Sequence, residues 1–235
     1  MRMLDNVLQD YIDRAPPEMA RAKYSASRER SVGLGVMGFH SFLQARGLPF
    51  EGAMAKSSNL RIFKHIRAQV DQASMLLANE RGPCPDAADQ GVMERFSCKM
   101  AIAPTASISI ICGGTSACIE VQHLDFLTQD EKDCFKTSFE IDQRWLLELA
   151  ADRTPYIDQA ASLNLFIPAD VEKWDLLMLH YRAWELGIKS LYYLRSKSVQ
   201  RAGFAGGVEA DNTPEAAKFE LSAESTDYDE CLACQ

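Results

Sequence analysis

Apolar residues in the N-terminal part of the chain recur at the spacing of amphipathic helices. Residues 3–12 place apolar side chains on one helical face, and Pro16-Pro17 ends that helix because a residue before proline disfavours helical geometry. Residues 57–80 follow the same period of about 3.6 residues, and Gly82 lies just beyond the last turn. Both segments are therefore predicted to be helices.

The second half of the chain alternates helices with short apolar strands. Thr137 and Glu140 have the spacing of a capping box, which predicts that a helix opens there. Residues 162–167 read as a strand, a helix follows as far as Gly187, and residues 189–194 read as another strand. The apolar stripe of that helix includes Trp174, Leu177, Tyr181 and Trp184. Such alternation predicts an α/β body.

Between the two halves, residues 100–120 form the stretch with the clearest candidate chemistry. Apolar runs flank the turn at residues 104–107, which is rich in small and hydroxylated side chains. Successive backbone amides together with Thr and Ser hydroxyls suit a phosphate group. The alternative is an ordinary strand, turn and strand in which these hydroxyls have no special role.

A second glycine-rich segment runs through Gly33, Gly35 and Gly38 with the pattern G-x-G-x-x-G. A dinucleotide-binding fold requires a strand before this pattern and a ribose-binding acid about 20 residues later. The preceding residues are charged, and the nearest acid, Glu51, lies in a predicted turn. We therefore favour close packing of a glycine-rich helix over a NAD-binding dehydrogenase.

Composition and charge narrow the class of protein. Apolar residues make up 47% of the chain, enough for a sizeable core, but no run of about 18 apolar residues predicts a membrane span. The net charge is −8, and most of it falls in residues 202–235, which predicts a mobile acidic tail. No basic face indicates nucleic-acid binding, and no signal-peptide pattern occurs, so we expect a cytoplasmic protein.

Two pairs of residues near the C-terminus are candidates for redox chemistry. Tyr192 and Tyr193 are either two ordinary strand aromatics or stacked phenols that relay a proton-coupled electron. Cys231 and Cys234 form a C-x-x-C whose thiols, on a flexible arm, can reduce a disulfide elsewhere. Zinc is disfavoured because it needs four ligands and no second cysteine or histidine pair occurs. Seven cysteines without a secretion signal argue against a disulfide framework.

Taken together, four segments resemble the catalytic large subunit of class I ribonucleotide reductase. RSVGLGVMGF is similar to the family's glycine-rich segment, and AIAPTASISI is similar to its phosphate loop. LYYLRS is similar to the strand of its radical-transfer tyrosines, and DECLACQ to its C-terminal cysteine tail. The resemblance implies an α/β fold in which residues 1–201 form the C-terminal part of a ten-stranded α/β barrel. Residues 202–235 would be a disordered tail.

The resemblance also implies a substrate site for a ribonucleoside diphosphate. Amides and hydroxyls of the loop would hold the diphosphate, with contributions from Pro104, Thr105, Ala106, Ser107 and Ile108. Many members of the family have glycine where this chain has Ala106. An alanine there costs about 1 kcal/mol only if the backbone needs a positive φ.

By the same resemblance, Tyr192 and Tyr193 would pass a radical from a metal-bearing small subunit, and the tyrosine pair favours class I over the cobalamin-dependent class II. Cys231 and Cys234 would reduce the active-site disulfide and be reduced in turn by thioredoxin or glutaredoxin. The chain itself would bind no metal or cofactor directly and would depend on the metal-radical cofactor of the small subunit.

The radical-forming cysteine of the family lies in an N-terminal region, and no N-x-C-x-E motif of that region occurs in this sequence. We therefore expect the C-terminal piece of a split large subunit, or a fragment of a longer one, that is active only with an N-terminal half. The alternative is a non-catalytic remnant or interaction module that binds the small subunit.

Overall fold

The computed structural model describes residues 1–119, 121 and 136–196, within which the chain forms eight α-helices and one pair of strands. The helices are α1 (Arg2–Arg14), α2 (Ala20–Glu29), α3 (Phe39–Gln44), α4 (Ala53–Arg81), α5 (Pro85–Asp89), α6 (Ala106–Ile111), α7 (Gln143–Arg153) and α8 (Lys173–Glu185). The strands are β1 (Leu165–Ile167) and β2 (Leu194–Ser196). The helices predicted at residues 3–12 and 57–80 are confirmed. The predicted acidic tail at residues 202–235 lies outside the described residues.

Four extended segments lie side by side, and all of them run parallel. Leu34 bridges Met100, Ile102 bridges Ala161, and β1 pairs with β2. The connections between successive segments contain helices: α3 to α5, then α6 and α7, then α8. Parallel neighbours joined through helices are the pattern of an α/β fold, as predicted.

The core lies between this row of parallel segments and the helices that cover it. Phe63 of α4, Leu147 of α7 and Leu163 beside β1 are each 0% exposed and belong to one hydrophobic cluster. The amide nitrogen Nδ2 of buried Asn59 donates to the Leu149 carbonyl at 2.9 Å, which joins α4 to α7. These two helices therefore form a fixed layer behind the segments that carry the candidate site.

The glycine-rich segment at residues 33–38 is not helical, so the predicted helix there is wrong. Leu34 donates its backbone N–H to the Lys99 carbonyl at 2.9 Å, because the segment pairs with the next extended segment instead of coiling. A Cβ added at Gly35 would lie 2.7 Å from the Ala101 carbonyl oxygen. Close packing therefore explains the glycine, as expected, although the packing partner is a strand-like segment.

Two other predicted element ends differ from the structure. Thr137 and Glu140 make the expected contact, in which the Glu140 carboxylate accepts from the Thr137 N–H at 2.7 Å, but they close a turn. Helix α7 begins at Gln143, and Asp142 caps it by accepting the Arg144 N–H. The strand predicted at residues 189–194 is confirmed only at its end, since β2 begins at Leu194.

The apolar stripe of α8 faces solvent. The exposed fraction is 64% for Trp174, 54% for Leu177 and 72% for Trp184. The centroids of the Tyr181 and Trp184 rings lie 5.5 Å apart, with the ring planes inclined by 43°. The apolar face of a helix normally packs on the core. On α8 this face is exposed instead, so it is available to contact another surface.

A buried carboxylate joins α1 to three other parts of the fold. Asp5 is 0% exposed and accepts hydrogen bonds from Arg30 at 2.7 Å, Arg81 at 2.6 Å and Arg95 at 2.9 Å. Burial alone would raise the pKa of Asp5, but the hydrogen bonds from Arg95, Arg30 and Arg81 outweigh it and hold the pKa below its ordinary value. Asp5 is therefore charged throughout the neutral range.

Replacing Asp5 by alanine leaves three guanidiniums without their shared anion. We expect Asp5→Ala to lower the free energy of unfolding by about 3–5 kcal/mol, measured by urea denaturation. In the parent chain the contribution of Asp5 is present above the unfolded-state pKa of about 3.9 and is lost as the pH falls through the lower folded-state value. Asp10→Ala, on an exposed pair of the same helix, is the control and should cost far less. Equal effects of the two variants would contradict this account.

Candidate functional site

The turn predicted at residues 104–107 is present only over Pro104 and Thr105, because Ala106 and Ser107 belong to a helix, and the predicted second strand is wrong. Thr105 has a left-handed backbone with φ of 53°, and helix α6 starts at the next residue. Ser109 N–H donates the first helical hydrogen bond to the Thr105 carbonyl at 2.9 Å. The run of small and branched residues after the turn fits a helix once the left-handed residue has redirected the chain, which alternation alone did not reveal.

The start of α6 gives the loop three backbone amides without an acceptor inside the helix. These amides belong to Ala106, Ser107 and Ile108, which precede the first helical bond. Ser107 is exposed, and the exposed fraction of Ile108 is 54%. Ala106 is not among the residues with positive φ, so its methyl group causes no backbone strain. Pro104 has no amide hydrogen and leads into the turn.

The Thr105 side chain anchors the loop to the chain that follows α6. Its hydroxyl oxygen accepts the Cys118 N–H at 2.7 Å. Cys118 also has a left-handed backbone with φ of 51°, and Cys118 is buried. Two non-glycine residues with positive φ, joined by one hydrogen bond, are a strained arrangement of the kind that clusters at functional sites. Neither φ value was predictable from the sequence.

The glycine-rich segment and α3 support the far side of the same loop. Ser116 N–H donates to the Ser41 hydroxyl at 2.8 Å, and Ser41 N–H donates back to the Ser116 hydroxyl at 3.1 Å. Gly38 N–H donates to the Ser116 carbonyl at 2.8 Å, and Gly38 has a φ of 80°. Sequence reasoning did not find this pair of serines, which has no local spacing to mark it.

The rings of Tyr192 and Tyr193 lie together, with centroids 4.2 Å apart and planes inclined by 51°. The two residues precede β2, and their exposed fractions are 47% and 38%. The Arg195 guanidinium lies over the Tyr193 ring, 5.4 Å from its centroid. The structure therefore brings two part-exposed phenols into contact with a cation beside one of them, and the relay role of the pair stays a prediction.

The loop and the tyrosine pair are connected through the segment that lies between them. Its Ala161 end bridges Ile102, two residues before Pro104. Further along, the Leu163 carbonyl accepts the Tyr192 N–H at 2.8 Å. The structure therefore brings the two predicted sites to neighbouring positions on one row of parallel segments.

One acidic residue sets the position of this row. The Asp158 carboxylate accepts the backbone N–H of Lys99 at 2.7 Å and of Met100 at 3.0 Å, and it also pairs with Arg67. Burial would raise the pKa of Asp158, but Arg67 and the two backbone amides hold the pKa below its ordinary value. From the tyrosine side, Lys189 Nζ donates to the Asp158 carbonyl at 2.7 Å.

Cys231 and Cys234 lie outside the described residues. Across residues 1–119, 121 and 136–196, no three His, Cys, Asp or Glu side chains are gathered as metal ligands would be. The helices in the same ranges include none with the length and apolar character to cross a membrane.

Comparison with known proteins identifies the fold. The family model described as "Ribonucleotide reductase, barrel domain" matches residues 1–93 and 117–194. The chain is also similar to a solved structure, the alpha subunit of the class Id ribonucleotide reductase of Actinobacillus ureae. The TM-score is 0.76 at 33% identity, covering 83% of this chain and 44% of the other.

Curated relatives agree with this result. The ribonucleoside-diphosphate reductase large subunit of Invertebrate iridescent virus 6 is 39% identical, over 86% of this chain and 26% of its own length. A putative large subunit of Frog virus 3 is 34% identical, over 100% of this chain and 48% of its own length. The chain thus spans less than half the length of these relatives. Its row of parallel segments with covering helices is part of an α/β barrel, and the chain belongs to the ribonucleotide reductase barrel-domain family.

Proposed function

We propose that this chain supplies the C-terminal part of the large subunit of a class I ribonucleoside-diphosphate reductase, which reduces ribonucleotides to deoxyribonucleotides for DNA synthesis by a radical reaction. The observation that carries the proposal is the contact between the Tyr192 and Tyr193 rings. The active enzyme also needs an N-terminal region with the finger-loop cysteine and a small subunit with a metal-radical cofactor.

In this proposal each step of the relay moves one electron and one proton. One phenol would give up both to an oxidised group of the small subunit and become a phenoxyl radical. That radical would take one electron and one proton from the second phenol, which restores the O–H bond of the first. The second phenoxyl then takes a hydrogen from the cysteine thiol of the N-terminal region and leaves a thiyl radical. Rings in contact suit such steps because each transfer crosses only a short distance.

The loop that opens α6 would hold the substrate diphosphate. The amides of Ala106, Ser107 and Ile108 have no acceptor inside the helix, and the Ser107 side chain is exposed beside them. The Thr105 hydroxyl accepts from Cys118, which leaves its proton free to donate to a phosphate oxygen. Pro104 shapes the turn. Donors of this kind complement the negative charge of the diphosphate.

The tail thiols would complete the cycle. Reduction of the ribose oxidises a pair of active-site thiols to a disulfide, which must be reduced before the next turnover. A thiolate of Cys231 or Cys234 would attack that disulfide, release one active-site thiol and form a mixed disulfide with the other. The second tail thiol would then attack the tail sulfur of the mixed disulfide, release the remaining active-site thiol and leave a disulfide in the tail. Thioredoxin or glutaredoxin would supply the two electrons that reduce the tail again.

The α8 face is the surface we assign to the small subunit. Its exposed aromatic side chains lie on the helix that leads directly into the tyrosine segment. A radical that enters at Tyr192 or Tyr193 requires the small subunit to be held nearby, and an exposed apolar face provides such a contact. The same surface also fits the second candidate function, a non-catalytic module that binds the small subunit without turnover.

Reconstitution separates the two candidates. The full chain is mixed with the N-terminal region of the large subunit and a radical-bearing small subunit, and formation of deoxynucleotide is measured. We expect turnover with the parent chain and a loss of at least about 1,000-fold with Tyr193→Phe, since phenylalanine has no O–H bond to give up. The Cys231→Ser variant should stop forming deoxynucleotide after the first turnovers when thioredoxin is the reductant. No turnover, with both variants like the parent in small-subunit binding, would support the binding module instead.

The loop is tested with Thr105→Val and Thr105→Ser in the same reconstituted enzyme. Valine keeps the shape but removes the oxygen that accepts from Cys118, which costs about 1–3 kcal/mol for the unsatisfied amide. We expect KM for the diphosphate to rise at least tenfold with Thr105→Val and to stay near the parent value with Thr105→Ser. Equal KM values for the two variants would contradict the loop assignment.

The α8 surface is tested by binding of the isolated small subunit to the full chain. Because large aromatic side chains dominate the binding energy of most interfaces, Trp184→Ala should raise the dissociation constant at least tenfold. Tyr24→Ala is the matched control, since Tyr24 is an aromatic residue of α2 with an exposed fraction of 68%. Equal affinity for both variants would remove α8 from the interface.

A further inference from the structure

Consecutive residues of a regular strand point to opposite faces. Tyr192 and Tyr193 are consecutive, yet their ring centroids lie 4.2 Å apart on one side of the chain. The backbone at this point must therefore depart from regular strand geometry. The departure has an identifiable cause in the hydrogen bonds between this segment and residues 163–165.

The pairing of β1 with β2 defines what a regular ladder would look like. Leu165 is opposite Leu194, and the Leu165 N–H donates to the Tyr193 carbonyl at 2.9 Å. If the same register continued toward the N-terminus of both strands, the Tyr193 N–H would donate to the Leu163 carbonyl. Instead the Leu163 carbonyl accepts the N–H of Tyr192 at 2.8 Å, one residue early. The tyrosine segment thus carries one extra residue, as in a β-bulge.

The extra residue leaves the Tyr193 N–H without its ladder acceptor. Asn164 supplies a replacement, since its side-chain oxygen Oδ1 accepts the Tyr193 N–H at 3.2 Å. Asn164 is 8% exposed, so water has little access to take over this role. Both polar groups of the Tyr193 backbone are then bonded to the segment 164–165.

The irregular stretch is fixed at both ends. Upstream, Lys189 Nζ donates to the carbonyls of Ile157 at 2.6 Å and Asp158 at 2.7 Å. Downstream, β2 returns to regular register at Leu194. The extra residue of the bulge therefore lies between Lys189 and Leu194, in the short stretch that includes both tyrosines.

We infer that Asn164 is a positioning residue for the tyrosine pair: its side chain holds the bulge that turns Tyr192 and Tyr193 to the same side. The effect of Asn164 on catalysis rests on the proposed radical-transfer role of the tyrosines. Its effect on the structure rests on the hydrogen bonds alone. Asn164 touches no substrate and acts only through the backbone of Tyr193.

The structural part is tested by hydrogen exchange of the Tyr193 amide in the full chain, followed by NMR with labelled tyrosine. Asn164→Leu keeps the size of the side chain and removes the acceptor, so the exchange rate should rise at least about tenfold. Asn164→Asp keeps an acceptor oxygen and should stay within about threefold of the parent. An unchanged exchange rate in Asn164→Leu would overturn the inference. Should that variant not fold, Asn164→Ala decides by the same criterion.

A matched control separates this effect from general loss of stability. Asn59 is also a buried asparagine, and it donates to the Leu149 carbonyl far from the tyrosine segment in sequence. Asn59→Leu should lower the free energy of unfolding, but the exchange rate of the Tyr193 amide relative to the other tyrosine amides should stay the same. A Tyr193 amide that responds equally to both substitutions would overturn a specific role for Asn164.

The catalytic part is tested in the reconstituted enzyme. Asn164→Leu should lower kcat at least about tenfold with KM within about twofold of the parent, and Asn164→Asp should restore most of the activity. A kcat unchanged in Asn164→Leu overturns the positioning role. Failure of the relay itself is distinguishable, because Tyr193→Phe would then match the parent while the exchange result for Asn164 still holds.

Discussion

The structure depends on the hydrogen bonds that converge on Asp158. Its carboxylate takes the backbone N–H groups of Lys99 and Met100, and its carbonyl takes the Lys189 ammonium. The contact of the carboxylate positions the segment that leads into the loop at residues 104–107, and the contact of the carbonyl positions the segment that leads into the tyrosine pair. Since both are made by one residue, the two candidate sites share a single reference point, and a shift of Asp158 would move both.

Much of this arrangement was predictable from the sequence, for identifiable reasons. Helices α1 and α4 have long apolar periods, so their existence was secure. The change of direction at Pro104 and Thr105 was recognisable from the small hydroxylated residues around it. The stretch after the turn was misassigned as a strand because the left-handed backbone of Thr105, which starts α6, depends on the distant Cys118 amide. Likewise, the contact of Tyr192 with Tyr193 depends on Asn164, nearly thirty residues earlier, which no local pattern reveals.

The exposed apolar surfaces of α6 and α8 are both candidates for contact with other parts of the enzyme. Ile110 and Ile111 at the end of α6 are 72% and 82% exposed, and the α8 aromatics face outward as well. The chain spans less than half the length of its viral relatives, so much of their length has no counterpart in this chain. We propose that the N-terminal region covers the α6 face, whereas the α8 face meets the small subunit. Substrate chemistry would then take place where this chain and the N-terminal region meet.

The central claim is that a radical passes through the tyrosine pair of this chain. The most direct measurement replaces Tyr193 with a tyrosine analogue that is more easily oxidised and mixes the full chain with the N-terminal region, the radical-bearing small subunit and a ribonucleoside diphosphate. Electron paramagnetic resonance then follows the radicals. The account predicts that the signal of the small subunit decreases while a signal of the analogue appears in equal amount. A small-subunit signal that stays constant, with no radical on this chain, would contradict it.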